Sequence, residues 1–182
     1  MLTDECKTIE ESYISATHSS HLRCDTREGA PRSDLDILIA AGCTPGILGG
    51  ALMRLHSEFD SSEKRAGTQT DAILLMGKLK SLPRVLEVIE EWATLRKLAE
   101  PKRLAHAVVA HWLAPGCDKC HGRGHELIAG TPSLGRRCKA CHGTGKRKEP
   151  MGEAGRRALN MFDECVQVAR TSMSKRLRQT RA

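Results

Sequence analysis

The chain has 182 residues, 40% of them hydrophobic, and a formal net charge of +7. Two Phe, two Trp and one Tyr leave any core to Leu, Ile, Val, Ala and Met. No run approaches the roughly 20 apolar residues of a membrane-spanning helix, so that class is not expected, nor is a membrane partner.

The opening Met1-Leu-Thr-Asp-Glu-Cys-Lys has neither a basic n-region nor an apolar h-region, so a cytoplasmic setting is expected. Residues 3 to 17 read as a helix, with Thr3 as cap, Asp4 and Glu5 in the first turn, and Leu2, Cys6, Ile9, Tyr13 and Ala16 on one face. From His18 to Arg32 the chain turns polar and reads as a loop or linker. His18, His21 and Cys24 lack a fourth partner nearby and are not taken as a second metal site. Ser33 caps a short apolar helix from Asp34 to Ala41. After Gly42-Cys43, Thr44-Pro45 opens a helix to about Phe59, with proline at its first position. Helix, glycine turn and helix outline a helix-turn-helix, but Gly46-Ile47-Leu48-Gly49-Gly50 offers no side chains to read base edges, so the pair is assigned to core packing.

Asp60 to Gln69 is polar and reads as a connection or a frayed helix end, and Asp71 to Lys80, with Ile73-Leu74-Leu75-Met76, is expected to be helical. Ser81 and Pro83 open the most strongly patterned helix, to about Ala99, with Val85, Leu86, Val88, Ile89, Trp92 and Leu95 as its buried stripe. Pro101 opens another, through Leu104, Ala107, Val108 and His111, which brings the chain to Pro115-Gly116. His106 and His111 are read as packed or capping residues. Glycine and proline between Gly124 and Arg137 suit a loop flanked by short strands that pair as a ribbon. After Pro150 a helix runs from Gly152 or Glu153 towards Arg178, with Ala158, Leu159, Phe162, Cys165, Val166, Ala169 and Met173 as its stripe.

The chemistry sits between Cys117 and Cys141. Cys117-Asp-Lys-Cys120 and Cys138-Lys-Ala-Cys141 are separated by seventeen residues, the spacing of a structural zinc site. His121-Gly122-Arg123-Gly124 follows the first pair and His142-Gly143-Thr144-Gly145 the second. Glycine supplies the positive φ of a tight turn behind the thiolates, and backbone N–H groups there can donate to the sulfurs. Cys117, Cys120, Cys138 and Cys141 are therefore the expected ligands of one structural Zn²⁺. Sulfur ligation alone leaves iron open. In a reducing cytosol cysteine pairs are more often ligands than disulfides.

From Cys117 to the end there are 15 Lys and Arg against 6 Asp and Glu, whereas the rest has 14 against 16. A basic half beside a mildly acidic one points to a polyanion, and clustering around a metal knuckle points to nucleic acid. The candidate DNA-binding residues are Arg136, Arg137, Lys139, Lys146, Arg147 and Lys148, with Arg156 and Arg157 of the following helix. No phosphate-cradling loop, zinc-protease helix or nucleophile elbow is present, and four cysteines close a metal site to water. An enzyme and a small-molecule substrate are therefore not expected.

The expected fold is mainly α, a helical domain with an inserted small four-cysteine zinc module (short β-ribbon and knuckles) followed by a basic C-terminal helix region. The divisions are residues 1–32 (N-terminal helix and polar linker), 33–114 (helical core), 115–149 (zinc module) and 150–182 (basic C-terminal helical segment packing with the core).

From about Pro115 to Leu177 the sequence resembles the lambda-type Q antitermination proteins of bacteriophages. The likeness rests on Cys-x-x-Cys-His-Gly-x-Gly, the insert, Cys-x-x-Cys-x-Gly-x-Gly, a basic patch, a proline and an Ala/Arg-rich helix. It implies a mostly helical protein with an inserted zinc module that binds double-stranded DNA overlapping a late promoter. It also implies engagement of bacterial RNA polymerase with its sigma subunit, paused downstream, and passage through pauses and terminators in late-gene expression. The four cysteines carry over as ligands, and the basic residues match that family's DNA-contacting surface by region. That family breaks the segment after the module with prolines, whereas Glu153 to Arg178 has none, although Thr171-Ser172 can cap a second helix. The zinc domain of DnaJ-type chaperones is similar too, but uses four repeats and accompanies a His-Pro-Asp motif; here there are two repeats and no such motif. A DnaJ-like chaperone or adaptor module, and a zinc-stabilised DNA-binding regulator without antitermination activity, are the alternatives.

Overall fold

The computed structural model describes residues 8–20, 22, 33–63, 79–127 and 133–179. Their elements are α1 (Ile9–Thr17), α2 (Asp34–Gly42), α3 (Ile47–Glu63), α4 (Leu82–Leu95), α5 (Pro101–Leu113), β1 (His125–Leu127), β2 (Leu134–Arg137) and α6 (Gly152–Gln179). The protein is thus mainly helical, with one short antiparallel ribbon beside a four-cysteine cluster. The expected cap at Thr3, the His21 and Cys24 positions, the helix over 71–78 and the loop residues Gly130 and Pro132 lie outside the described residues. Among the described residues no helix is long and apolar enough to cross a membrane.

The chain divides into two compact units, one drawn from Met1–Val85 and Met161–Ala182, the other Leu86–Asn160. In the first, α1 packs against α2 and α3. Helix α1 begins at Ile9, later than the residue-3 start expected, because Thr8 is extended and closes a capping box. Its hydroxyl accepts from Glu11 N–H at 3.2 Å and its own N–H donates to the Glu11 carboxylate at 2.8 Å. Ser33 and Asp36 build the same device on α2. Helix α3 starts at Ile47 instead of Thr44-Pro45, since Gly46 sits at φ +83°, outside the helical region, and holds the turn open.

The core of this unit gathers around Leu52, Leu55, Phe162, Ala169 and Met173, all fully buried. Gly49 lets α3 and α6 approach: an added Cβ would lie 3.1 Å from Ala169 Cβ and closer still to the Cys165 carbonyl oxygen. The buried hydroxyl of Ser57 meets Thr17 Oγ1 at 3.0 Å, so its polarity is satisfied.

The second unit holds most of α4, α5, the ribbon and the cysteine loops. Helix α4 was expected to reach Ala99 and stops at Leu95. Lys97 takes φ +54°, its N–H bonds to the Thr94 carbonyl, and Leu98 N–H bonds to the Ala93 carbonyl, each at 3.0 Å. That pattern closes a helix by a left-handed residue just past its end. The buried stripe runs at i, i+4 through Val85, Ile89 and Ala93, so Leu95 is 84% exposed and not on the buried face. Helix α5 buries Leu104, Ala105, Val108, Val109 and Leu113. Helix α6 is unbroken. Thr171 Oγ1 donates to the Gln167 carbonyl at 2.9 Å within the helix and caps no second one.

Candidate metal centre

Each Cys-x-x-Cys pair is followed by the same backbone path. His121 and His142 have φ of 49° and 52°, Gly122 and Gly143 80° and 88°, Gly124 and Gly145 76° and 71°. Three left-handed residues in four reverse the chain behind the second cysteine, and the final glycine N–H then points at its sulfur. Gly124 N–H donates to Cys120 Sγ at 3.2 Å and Gly145 N–H to Cys141 Sγ at 3.3 Å.

The two loops also bond reciprocally. Cys117 N–H donates to the Gly145 carbonyl and Cys138 N–H to the Gly124 carbonyl, both at 2.8 Å. A Cβ on Gly124 would stand 2.5 Å from the Gly143 carbonyl oxygen, and one on Gly145 would collide with that of Gly122. The knuckles are therefore related by an approximate two-fold through their midpoint. The ribbon, with His125 opposite Arg137 and Leu127 opposite Leu134, joins them on one side, and a bridge between Gly116 and Lys146 closes the other.

This arrangement gathers four sulfurs, all within 4.8 Å of one another and all buried. Cys117 and Cys138 Sγ are 4.0 Å apart, Cys120 and Cys141 Sγ 3.7 Å. These are free thiols, far from the roughly 2.05 Å of a disulfide. A tetrahedral ion with metal–sulfur bonds of about 2.3 Å sets its sulfurs about 3.8 Å apart, so the cluster fits one. Among the described residues it is the one group of His, Cys, Asp or Glu so placed.

Burial pushes the Cys120 thiol up to about 11, despite the bond from Gly124 N–H. Burial acts upward on Cys141 too, but N–H groups of Gly145 and Gly143 and the Cys120 and Cys138 thiols outweigh it and bring it down to about 6. His121 and His142 are exposed and outside the cluster, and His111 lies in the last turn of α5. Burial, then the Arg147 cation, hold His111 below its ordinary value.

The basic candidates divide into three groups. Arg136, Arg137, Lys139, Lys146 and Lys148 are exposed, and none makes an ion pair among the described residues. Arg137 is held by its stem, which passes over Gly143. Arg147 is turned to structural work: its guanidinium donates to the Ala114 carbonyl, its Nη1 lies 3.7 Å from Asp118, and its Nε is buried. Arg156 pairs with Glu149 at 3.4 Å and Glu153 at 3.6 Å, and Arg157 with Glu153 at 3.1 Å. Exposed pairs of this kind are weak and open readily to a stronger anion.

Lys119 and Arg123 on the first knuckle, absent from the candidates drawn from the sequence, are also exposed and without an acidic partner among the described residues. The internal repeat gives no signal for them, since the matching positions on the second knuckle are Ala140 and Thr144.

Compared with protein-family models, with curated proteins and with solved structures, the chain matches none.

Proposed function

We propose that the chain is a zinc-stabilised protein that binds double-stranded DNA near a phage late promoter and acts there as a transcription antitermination factor. The observation that carries this reading is the buried four-sulfur cluster whose own loops bear Arg136, Arg137, Lys139, Lys146 and Lys148, exposed and without an ion pair among the described residues. Zinc suits the cluster better than iron because it favours closed tetrahedral thiolate sites with no redox demand. With four sulfurs in place no position remains for water, so the ion's part is to hold shape. Cys117, Cys120, Cys138 and Cys141 would bind it, and it would keep the knuckles at the spacing the reciprocal hydrogen bonds already favour.

Lysine and arginine on such a frame neutralise phosphates, and a bidentate arginine can read guanine in the major groove. Engagement of bacterial RNA polymerase with its sigma subunit, read-through of pauses and terminators, and work in the cytoplasm of a bacterial host come from the resemblance of residues 115–177 to the lambda-type Q proteins. The test is transcription in vitro with host polymerase, on a template carrying the presumed late promoter and a downstream terminator. Read-through that needs both the protein and the promoter-proximal DNA supports antitermination. DNA binding without read-through leaves a zinc-stabilised regulator, and loss of both returns the chaperone or adaptor reading.

A further inference from the structure

The unit of Met1–Val85 and Met161–Ala182 holds a cleft of about 660 Å³. One wall is a single face of α3, with Ile47, Gly50, Ala51 and Arg54 at i, i+3, i+4 and i+7. Leu38 and Ala41 of α2 extend the apolar part. Ile47 is 65% exposed at its rim, a large aliphatic side chain left in solvent.

Among the described residues the charge of the cleft has one sign: Arg54, Lys80 and Arg84 line it, and no described Asp or Glu does. Arg54 and Lys80 are exposed and make no ion pair among the described residues. Ser81 fixes where these cations stand. Its N–H and hydroxyl donate to the Glu58 carboxylate at 3.0 and 2.9 Å, which ties Lys80 and Ser81 to α3 one turn beyond Arg54. The cations therefore gather towards the C-terminal side of α3, and Ile47 stands at its N-terminal end. At 1.5 Å per residue Arg54, midway along α3, lies about 10 Å from Ile47, two helical turns.

We propose that this cleft docks a short amphipathic helix of a partner protein, with its apolar face between Leu38 and Ile47 and its Asp or Glu residues against Arg54 and Lys80. Helices seated in grooves are read by anchors at such spacing, and complementary charge sets their direction. A duplex would meet an extended basic face, whereas here the cations sit at one end of an apolar concavity. None of its residues is among those proposed to meet DNA, and it does not rest on that reading.

The test is selection from a random-peptide display library on the full-length, metal-loaded protein. Enriched sequences are expected to place Leu, Ile or Phe at helical spacing beside Asp or Glu. A synthetic peptide of the enriched sequence should bind about tenfold or more weakly to the Arg54→Glu/Lys80→Glu variant. Ile47→Asp, a change at an exposed position, should weaken it as well, with melting temperature and duplex-DNA affinity unchanged in both variants. No enriched sequence, enrichment without acidic residues, or equal binding by both variants would overturn the proposal. So would a fall in DNA affinity in the variants, which would make the cleft part of a nucleic-acid surface.

Discussion

Gly49 of α3 meets the backbone of Cys165 in α6 so closely that no side chain fits between them. Gly49→Ala forces the two helices apart or bends one. The expected loss is about 1–3 kcal/mol, as for other overpacked sites. Gly42 has nothing within 4 Å of an added Cβ, so Gly42→Ala should be neutral or stabilise by up to about 1 kcal/mol. Urea denaturation of the two variants side by side measures the contrast, and equal stabilities would show that the helices do not touch there.

Removing the metal should loosen the cysteine loops, because the ion ties together four sulfurs that otherwise only the reciprocal bonds, the ribbon and the Gly116–Lys146 bridge hold near one another. Purified protein is expected to carry one zinc per chain by elemental analysis, and Cys138→Ser to lose it. Circular dichroism should then show helices retained in Met1–Val85 and Met161–Ala182. A Cys138→Ser protein with full metal content would mean that the cluster is not the ligand set.

Metal affinity should rise with pH across the neutral range. Cys120, pushed up to about 11, keeps its proton there and must give it up to the ion, so each rise in pH eases binding. Cys141, brought down to about 6, is already ionised at neutral pH and adds to the dependence only below about 6, where it too takes a proton. Competition against a chromophoric chelator at several pH values measures this. A flat profile through neutrality, or one that is no steeper in acid, would contradict the assignment.

Arg136→Ala/Arg137→Ala should lower the log–log salt slope of duplex-DNA binding by about two, one for each phosphate no longer neutralised. Arg156→Ala/Arg157→Ala should lower it less, since Glu149 and Glu153 already hold those cations. Arg147→Ala should instead cost about 1–3 kcal/mol of stability, because its bonds to Ala114 and Asp118 disappear. Filter binding over a salt series, with melting curves alongside, separates the two kinds of effect.

The cysteine cluster was legible because ligand spacing is local: a two-residue gap and a glycine-rich turn specify a knuckle wherever it sits. The Ser33 cap, the ribbon and the start of α6 follow from equally local signals. Where expectation and fold differ, a residue took a backbone region its type seldom visits, or packing chose among helix faces. Lys97 in a left-handed conformation ends α4 early, and no propensity marks it. Ala93 rather than Leu95 joins the buried stripe, because an i, i+4 row and an i, i+3 row diverge over three turns. Arg147 stands in a Lys-Arg-Lys run with nothing to distinguish it, and only the carbonyl at the end of α5 gives it a different task. Gly49 and Gly50 read as a lack of side chains to meet bases; at Gly49 the reason is room for another backbone.

The reciprocal bonds between the knuckles make the halves interchangeable parts. Each carries one cysteine N–H to give, one glycine carbonyl to receive it and two of the four sulfurs. Either half is thus complementary to a copy of itself, and a peptide holding a single knuckle has what it needs to pair with its twin around one ion. The halves differ in charge at Asp118 against Lys139, Lys119 against Ala140 and Arg123 against Thr144, so exchanging one half for the other redistributes the charge of the module while leaving its frame in place.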